Sequence, residues 1–380
     1  MLLNDTQRET RDAARRFAAR AIVPHVAEWE RKGGAPRELY EAMAAIGLMG
    51  VAIDPRYGGS GADFVSYALA IEEIAAADGG ISNVMAANNS PVAAALQRVG
   101  SESQKRDYLT RLTAGEWIGC IALTEPHTGS NAAAITTRAV RDGDDYVLDG
   151  TKALITAGSL ADLAMIIAVT DPDAGKRGIT AFITPTNNPG YEVVRKEQKL
   201  GHRTNDTCEI RLNTMRVPAS DVLGEPGRGL GIALANLSLG RIGVAAQATG
   251  GARAALAAAR DYAAGRETFG QPIKDHQAIA FKLADMATEI EAARQLYLHA
   301  AQMHDAALDC SREASMAKLF ASEMAERVAS AAIQIHGGYG FLEDYPVAKI
   351  YRDVRVYQIY EGTSEVQKIL ISRLLDGLDI

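Results

Sequence analysis

Cysteine is scarce and scattered. Cys120, Cys208 and Cys310 are the only three in 380 residues. They are odd in number and lack CxxC spacing, which argues against a disulfide framework or a thiolate metal site and fits a reducing compartment. Each reads as a small buried hydrophobe. Basic charge is not in surplus either: 40 Lys and Arg stand against 47 Asp and Glu. With no basic stripe and no interleaving of basic and aromatic residues, nothing points to nucleic acid as a partner. No apolar run reads as a membrane span, and no signal-peptide h-region precedes a small-residue cleavage site. The Arg-rich stretch from Met1 to Arg20 contains Asp5, Glu9 and Asp12. Transit peptides are poor in acids, so this stretch reads as the first structural helix.

What remains is an ordinary globular composition, 47% apolar and 23% charged, in a chain long enough for two or three domains. Hydrophobic period divides it. Residues 1–115 have a helical pattern, with an Ala-rich run from Tyr67 to Ala77 and punctuation at Tyr57-Gly58-Gly59-Ser60-Gly61 and Asp78-Gly79-Gly80. Over 116–224 the period becomes two. Ile179, Ala181 and Ile183 alternate with Thr180, Phe182 and Thr184, and Cys208, Ile210 and Leu212 with Glu209, Arg211 and Asn213. Asp149-Gly150 reads as a hairpin turn. Over 225–380 long helices return: Ile279, Leu283, Met286, Ile290, Ala293 and Tyr297, then Ala317, Phe320, Met324, Val328, Ala331 and Ile335, keep a three-four beat that packs as a bundle. The glycines of Gly224 to Gly231 lack a following Lys-Ser/Thr and a βαβ context, so they read as a linker.

Four stretches carry more chemistry than packing needs. In Tyr360-Glu361-Gly362-Thr363-Ser364 an apolar run breaks at a carboxylate and a glycine, and Ser364 with Gln367 has capping-box spacing. Glu361 therefore sits on a turn just outside a helix start, where it can serve as a general base or simply complement the helix dipole. Leu123-Thr124-Glu125-Pro126-His127-Thr128-Gly129-Ser130 is a strand running into a turn of hydroxyls and amides suited to a polar ring or a phosphate. Thr156 ends an apolar strand that starts at Lys152. Arg266-Glu267-Thr268-Phe269-Gly270-Gln271-Pro272 precedes a helix that begins near Gln277. Taken singly, each of the last three reads first as a loop or cap.

Together, with Gly47-Leu48, Lys199-Leu200-Gly201 and Gln334 with Gly337-Gly338, these motifs resemble the acyl-CoA dehydrogenase family, in the family's order and from the first helix to the C-terminus. The resemblance implies an α+β fold with an N-terminal helical domain, a small β-barrel-like middle domain and a C-terminal four-helix bundle. It implies FAD, held non-covalently at Leu123, Thr124, Gly129, Ser130, Leu154, Thr156, Thr363 and Glu365 of one subunit, with Arg266, Phe269, Gln277, Gln334 and Gly338 reaching the FAD of a neighbour. A homotetramer follows from that sharing. By the same resemblance Ser130, Ser238, Arg241, Tyr360 and Gly362 contact an acyl-CoA. Glu361 removes its α-proton while the flavin accepts the β-hydrogen, and an electron-transferring flavoprotein collects the electrons. No metal is called for.

Isovaleryl and long-chain members of the family carry the base just before the arginine corresponding to Arg241. Here that residue is Gly240, which leaves Glu361 as the candidate. Asn88-Asn89-Ser90, Gly240-Arg241-Ile242-Gly243 with Gln247, and Met316-Ala317-Lys318-Leu319 resemble short-chain and short-branched-chain members, and a bacterial cytosol is favoured over a mitochondrial matrix. Four positions depart from the pattern: Leu154 stands where an aromatic covers one flavin face, Ala157 where Asn is usual, Ser238 where Asp contacts pantetheine, and Asn205 where Ser is usual. They keep open a flavin oxidase or monooxygenase on the same scaffold, or a silent flavin or acyl-CoA binding protein. The helix start behind Glu361 is expected to lower its pKa, and desolvation by bound acyl-CoA to raise it.

Overall fold

The structure, a computed structural model, describes residues 2–375, so Met1 and the last five residues lie outside it. The N-terminal part is helical: α1 (Asp5–Phe17), α2 (Val26–Lys32), α3 (Arg37–Ala44), α4 (Phe64–Ala77), α5 (Gly79–Ala87), α6 (Ala94–Val99), α7 (Glu102–Gln104) and α8 (Thr110–Thr113). Punctuation acts where expected. The Asp63 side chain caps α4 by accepting from the Ser66 amide, and Asp78 ends α4 and caps α5 by accepting from the Ile81 amide, each at 2.8 Å.

Seven strands follow: β1 (Gly119–Ala122), β2 (Arg138–Asp142), β3 (Asp145–Thr156), β4 (Leu163–Val169), β5 (Ile179–Pro185), β6 (Tyr191–Lys196) and β7 (Thr207–Pro218). They form one curled sheet in the order β1-β4-β2-β3-β7-β6, with β5 also on β4. β1 and β4 run parallel, and the hairpin partners run antiparallel. Two sequence readings need correction here. The hairpin turn lies at Gly143-Asp144, because β2 pairs Asp142 with Asp145. Asp149-Gly150 is instead a bulge inside the twelve-residue β3, where the register against β7 slips and the Asp149 carboxylate accepts from the Thr214 amide. β5 is buried along both faces, so its threonines point into packing and not to solvent; Thr180 hydrogen-bonds Thr170 at 2.8 Å.

The C-terminal part comprises α9 (Gly229–Gly265), a hairpin of β8 (Glu267–Thr268) and β9 (Gln271–Pro272), α10 (Gln277–Asp305), α11 (Ser311–His336), α12 (Pro346–Val354) and α13 (Ser364–Ser372). The predicted linker is therefore shorter than Gly224–Gly231, since Gly229 already starts α9. By length and composition α9 is apolar enough to cross a membrane, contrary to the expectation that no run is that long. Two thirds of its apolar window, 67%, is buried inside the protein. Small residues let it pack closely: a Cβ on Gly250 would lie 2.3 Å from the Glu72 carbonyl oxygen of α4.

Helix α4 is buried nearly all round, and its two acids face cations. Glu73 takes paired contacts from Arg15 and from Arg253, and Glu72 meets Arg294 and Tyr297. Satisfied in this way, a buried carboxylate ties α1, α9 and α10 to α4 and is costly to unpair. The three cysteines are free and buried.

Candidate active site

A cavity of about 310 Å³ opens between the sheet and the bundle. Its sheet side is set by a buried ion pair. Lys152, fully buried on β3, donates to the Leu123 carbonyl at 3.1 Å and to Glu125 Oε1 at 2.8 Å. Glu125 also accepts from the Thr136 and Thr137 amides at 2.7 and 3.0 Å. Burial pushes the Glu125 carboxyl up, but Lys152 and the surrounding donors outweigh it and bring it down to about 2. Burial brings Lys152 down to about 8 against the pull of Glu125. This pair clamps the turn that presents Thr124, Gly129 and Ser130 to the cavity.

At the end of β3, Thr156 Oγ1 accepts from the Asn83 amide group at 3.3 Å. Leu154 and Ala157 both adopt left-handed backbone, with φ of 59° and 56°. Asn tolerates that conformation better than either residue. Leu154 is 63% exposed at the cavity rim.

The opposite wall is the turn between Tyr360 and Thr363. Glu361 has a φ of 55°, which confirms a turn position and not a helix face. The cap differs from the expected one by a residue: Thr363 Oγ1 accepts from the Val366 amide at 3.3 Å, while Ser364 is the first helical residue. Gln367 folds back instead of closing a capping box, donating to the Glu361 and Gly362 carbonyls at 3.1 and 2.9 Å. Lys318 of α11 donates to the same Gly362 carbonyl at 2.7 Å. The Tyr360 hydroxyl donates to Gln247 Oε1 at 2.8 Å, and Gln247 donates to Ser82 Oγ at 3.0 Å.

The turn leaves Glu361 Oε2 buried and without a hydrogen-bond partner among the described residues. Opposite it stands Gly240. Burial raises the Glu361 carboxyl to about 7, opposed by Arg241 and Lys318. Burial within the protein alone already raises this carboxyl, before any acyl-CoA is bound, with Arg241 and Lys318 as the opposing charges. A carboxylate poised near neutrality, unpaired and facing a cavity, has what proton abstraction needs.

The structure brings together Leu123, Thr124, Gly129, Ser130, Leu154, Thr156, Tyr360, Glu361, Gly362 and Thr363 around this one cavity. Arg241 is buried close behind Glu361, its Nη1 3.5 Å from the Ser238 and Ser315 hydroxyls. Glu365 points to solvent on the first turn of α13 and does not line the cavity.

A second group stays apart. Arg266, Phe269 and Gly338 line a separate hollow of about 530 Å³ where the β8–β9 hairpin meets the end of α11. Phe269 stands 99% exposed at the hairpin tip, and Gln277 at the start of α10 and Gln334 near the end of α11 are exposed as well. Within one chain the expected cofactor residues are divided: the first group lines the Glu361 cavity, Arg266, Phe269 and Gly338 line the second hollow, and Gln277, Gln334 and Glu365 line neither. Sequence reasoning gave no role to Lys318, Lys152, Gln247 or Asn83. A lysine on the buried Ala314, Ala317, Ala321 face of α11 was the one legible signal among them.

Comparison with known proteins agrees with this architecture. Residues 4–116, 120–215 and 227–375 match the family models for the acyl-CoA dehydrogenase N-terminal, middle and C-terminal domains. The chain is 46% identical over 367 residues to an acyl-CoA dehydrogenase of Bacillus subtilis, covering 97% of each. Its structure is similar to butyryl-CoA dehydrogenase from Megasphaera elsdenii, with a TM-score of 0.97, 41% identity and 99% of both chains covered. It is equally similar, with a TM-score of 0.97, 42% identity and 99% of both chains, to a chain described with the electron transferring flavoprotein of Acidaminococcus fermentans. With three domain models in order along the sequence and a carboxylate facing the cavity between them, the chain belongs to the acyl-CoA dehydrogenase family, whose members are flavoproteins.

Proposed function

We propose that this enzyme dehydrogenates a short-chain or short-branched acyl-CoA to the trans-2-enoyl-CoA, with Glu361 as the base that takes the α-proton. The observation carrying this reading is that Glu361 lines the cavity with a carboxyl raised by burial to about 7 and an Oε2 that has no hydrogen-bond partner among the described residues. Likeness to the Megasphaera elsdenii butyryl-CoA dehydrogenase supports the short substrate.

FAD fits the residues present. Thr124, Ser130, Thr156 and Thr363 offer hydroxyls around one cavity, and the Lys152–Glu125 pair keeps the first two in place. Bound there, FAD supplies the acceptor for the β-hydrogen as hydride. Glu361 deprotonates the carbon next to the thioester, and Gly240 leaves room for its carboxylate to do so. Ser238, Arg241, Tyr360 and Gly362 lie on the substrate side of the site in this reading. Arg266, Phe269, Gln277, Gln334 and Gly338, remote from the cavity in their own chain, complete the cofactor site of a neighbour in a homotetramer. Glu365 approaches FAD only from its exposed position on α13. An electron-transferring flavoprotein accepts the electrons, in line with the likeness to the Acidaminococcus fermentans chain, and the bacterial relative favours the cytoplasm.

The exposure of Leu154 at the rim favours one second reading, a flavin oxidase. Anaerobic addition of butyryl-CoA, isobutyryl-CoA and palmitoyl-CoA to the FAD-loaded enzyme separates the cases. Flavin bleaching by the short thioesters with slow recovery in air supports the dehydrogenase. Recovery as fast as turnover supports the oxidase, and no bleaching by any of them refutes both.

A further inference from the structure

Lys318 is fully buried on α11, yet no described carboxylate lies within ion-pair distance of it. Its ammonium makes one hydrogen bond, to the Gly362 carbonyl, and burial holds it down at about 8. A buried cation without a contacting anion is unfavourable for folding, so its position calls for a role beyond packing. The groups that face it electrostatically are Glu361 and Glu365 from the α13 side, Arg241 from α9 and Glu323 on its own helix. Glu361 in turn is faced by Arg241, Lys318, the Tyr67 hydroxyl of α4 and the neighbouring Tyr360 hydroxyl.

We propose that Lys318 is a positioning residue for proton abstraction. Through the Gly362 carbonyl it holds the Glu361–Gly362 turn in the left-handed conformation that aims the carboxylate at the cavity, and its positive charge limits how readily that carboxylate is protonated. Two features of the turn support this. Left-handed backbone is unfavourable for a glutamate and persists only where its surroundings enforce it. Here the enforcing contacts are few: Lys318 and Gln367 supply the donors to the two carbonyls of the turn. The charge effect follows because an opposite charge nearby favours the ionised carboxylate, against the burial that opposes it.

The inference rests on Glu361 being the base, and the test keeps the two apart. Lys318→Met, Lys318→Arg and Gln367→Leu are prepared as FAD-loaded enzymes. The pH profile of flavin bleaching and the carboxylic-acid infrared band of Glu361 are then followed in each. Lys318→Met is expected to slow bleaching about tenfold or more at pH 7, with little change in KM. It also moves the apparent pKa of the base up by about one unit in both readouts, as loss of one nearby cation would. Lys318→Arg keeps the charge and restores the profile, and Gln367→Leu slows bleaching without moving it. A folded Lys318→Met enzyme with an unshifted profile overturns the proposal. So does failure of both Lys318 variants to fold, because that assigns the residue to stability alone. If Glu361→Gln bleaches at the wild-type rate, the base assignment falls instead.

Discussion

Gly240 and Glu361 meet across the cavity: a Cβ added to Gly240 would lie 2.8 Å from Glu361 Oε2 and 3.0 Å from its carboxyl carbon. The carboxylate occupies the space a side chain at 240 would take. This gives physical meaning to the two positions at which the family resemblance places a base, since both reach the same point from opposite walls. Gly240→Ala is therefore expected to fold and to bind FAD, while displacing the carboxylate. A misplacement of this size slows flavin reduction about tenfold or more. Stopped-flow bleaching checks it, and a wild-type rate would show that the carboxylate has room elsewhere.

The raised pKa of Glu361 has a stability counterpart. Its carboxyl titrates near 4.5 when unfolded and near 7 when folded. Between those values the folded protein binds more protons, so stability falls as pH rises from about 4.5 through 7 and is level above. Glu361→Gln removes that loss. It is expected to be more stable than wild type by about 1–3 kcal/mol at pH 8, with no gain below pH 4. Chemical denaturation of the FAD-free proteins at the two pH values measures this, and a variant less stable at pH 8 would contradict the burial argument.

Lys152 and Glu125 form the anchor beneath the Thr124–Ser130 turn. Lys152→Met leaves Glu125 buried and unpaired, which costs about 3–5 kcal/mol. It also frees the turn, so FAD retention through gel filtration is expected to drop along with the melting temperature. A destabilised protein that keeps its full FAD content would show that the turn does not need this clamp.

In the proposed homotetramer, where Phe269 and Arg266 complete a neighbour's cofactor site, assembly and cofactor retention are linked. Phe269→Ala is expected to weaken FAD retention at low protein concentration, where subunits separate, and to recover it at high concentration. Light scattering with flavin absorbance follows both quantities. A monomer saturated with FAD would contradict the shared site.

Much of this was legible in the sequence. The change of hydrophobic period marks the passage from helices to sheet and back, and the three-four beat from Ile279 to Tyr297 is the buried face of α10, with Met286, Ile290, Ala293 and Tyr297 in the core. Glu361 followed by Gly362 announced a turn. What escaped depends on partners distant in the chain. Asp149-Gly150 has the composition of a hairpin turn, but β7 pairs with β3 on both sides of it, so it becomes a bulge. Thr363 takes the cap while Gln367 is drawn back to the Glu361 and Gly362 carbonyls, the second of which Lys318 also holds. Two thirds of the apolar window of α9, 67%, is covered by the rest of the protein, which its own sequence cannot reveal. Leu154 and Ala157 stand out in the sequence only by resemblance; their left-handed backbone, at a second register slip of β3 and just past its end, has no signal in the residues themselves.

The most direct measurement is anaerobic titration of FAD-loaded wild type and Glu361→Gln with butyryl-CoA, following the flavin absorbance. The account predicts stoichiometric bleaching of the wild type. It predicts bleaching slowed at least about 10²–10⁴-fold in the variant, with its FAD content unchanged. Bleaching of both proteins at the same rate would contradict it.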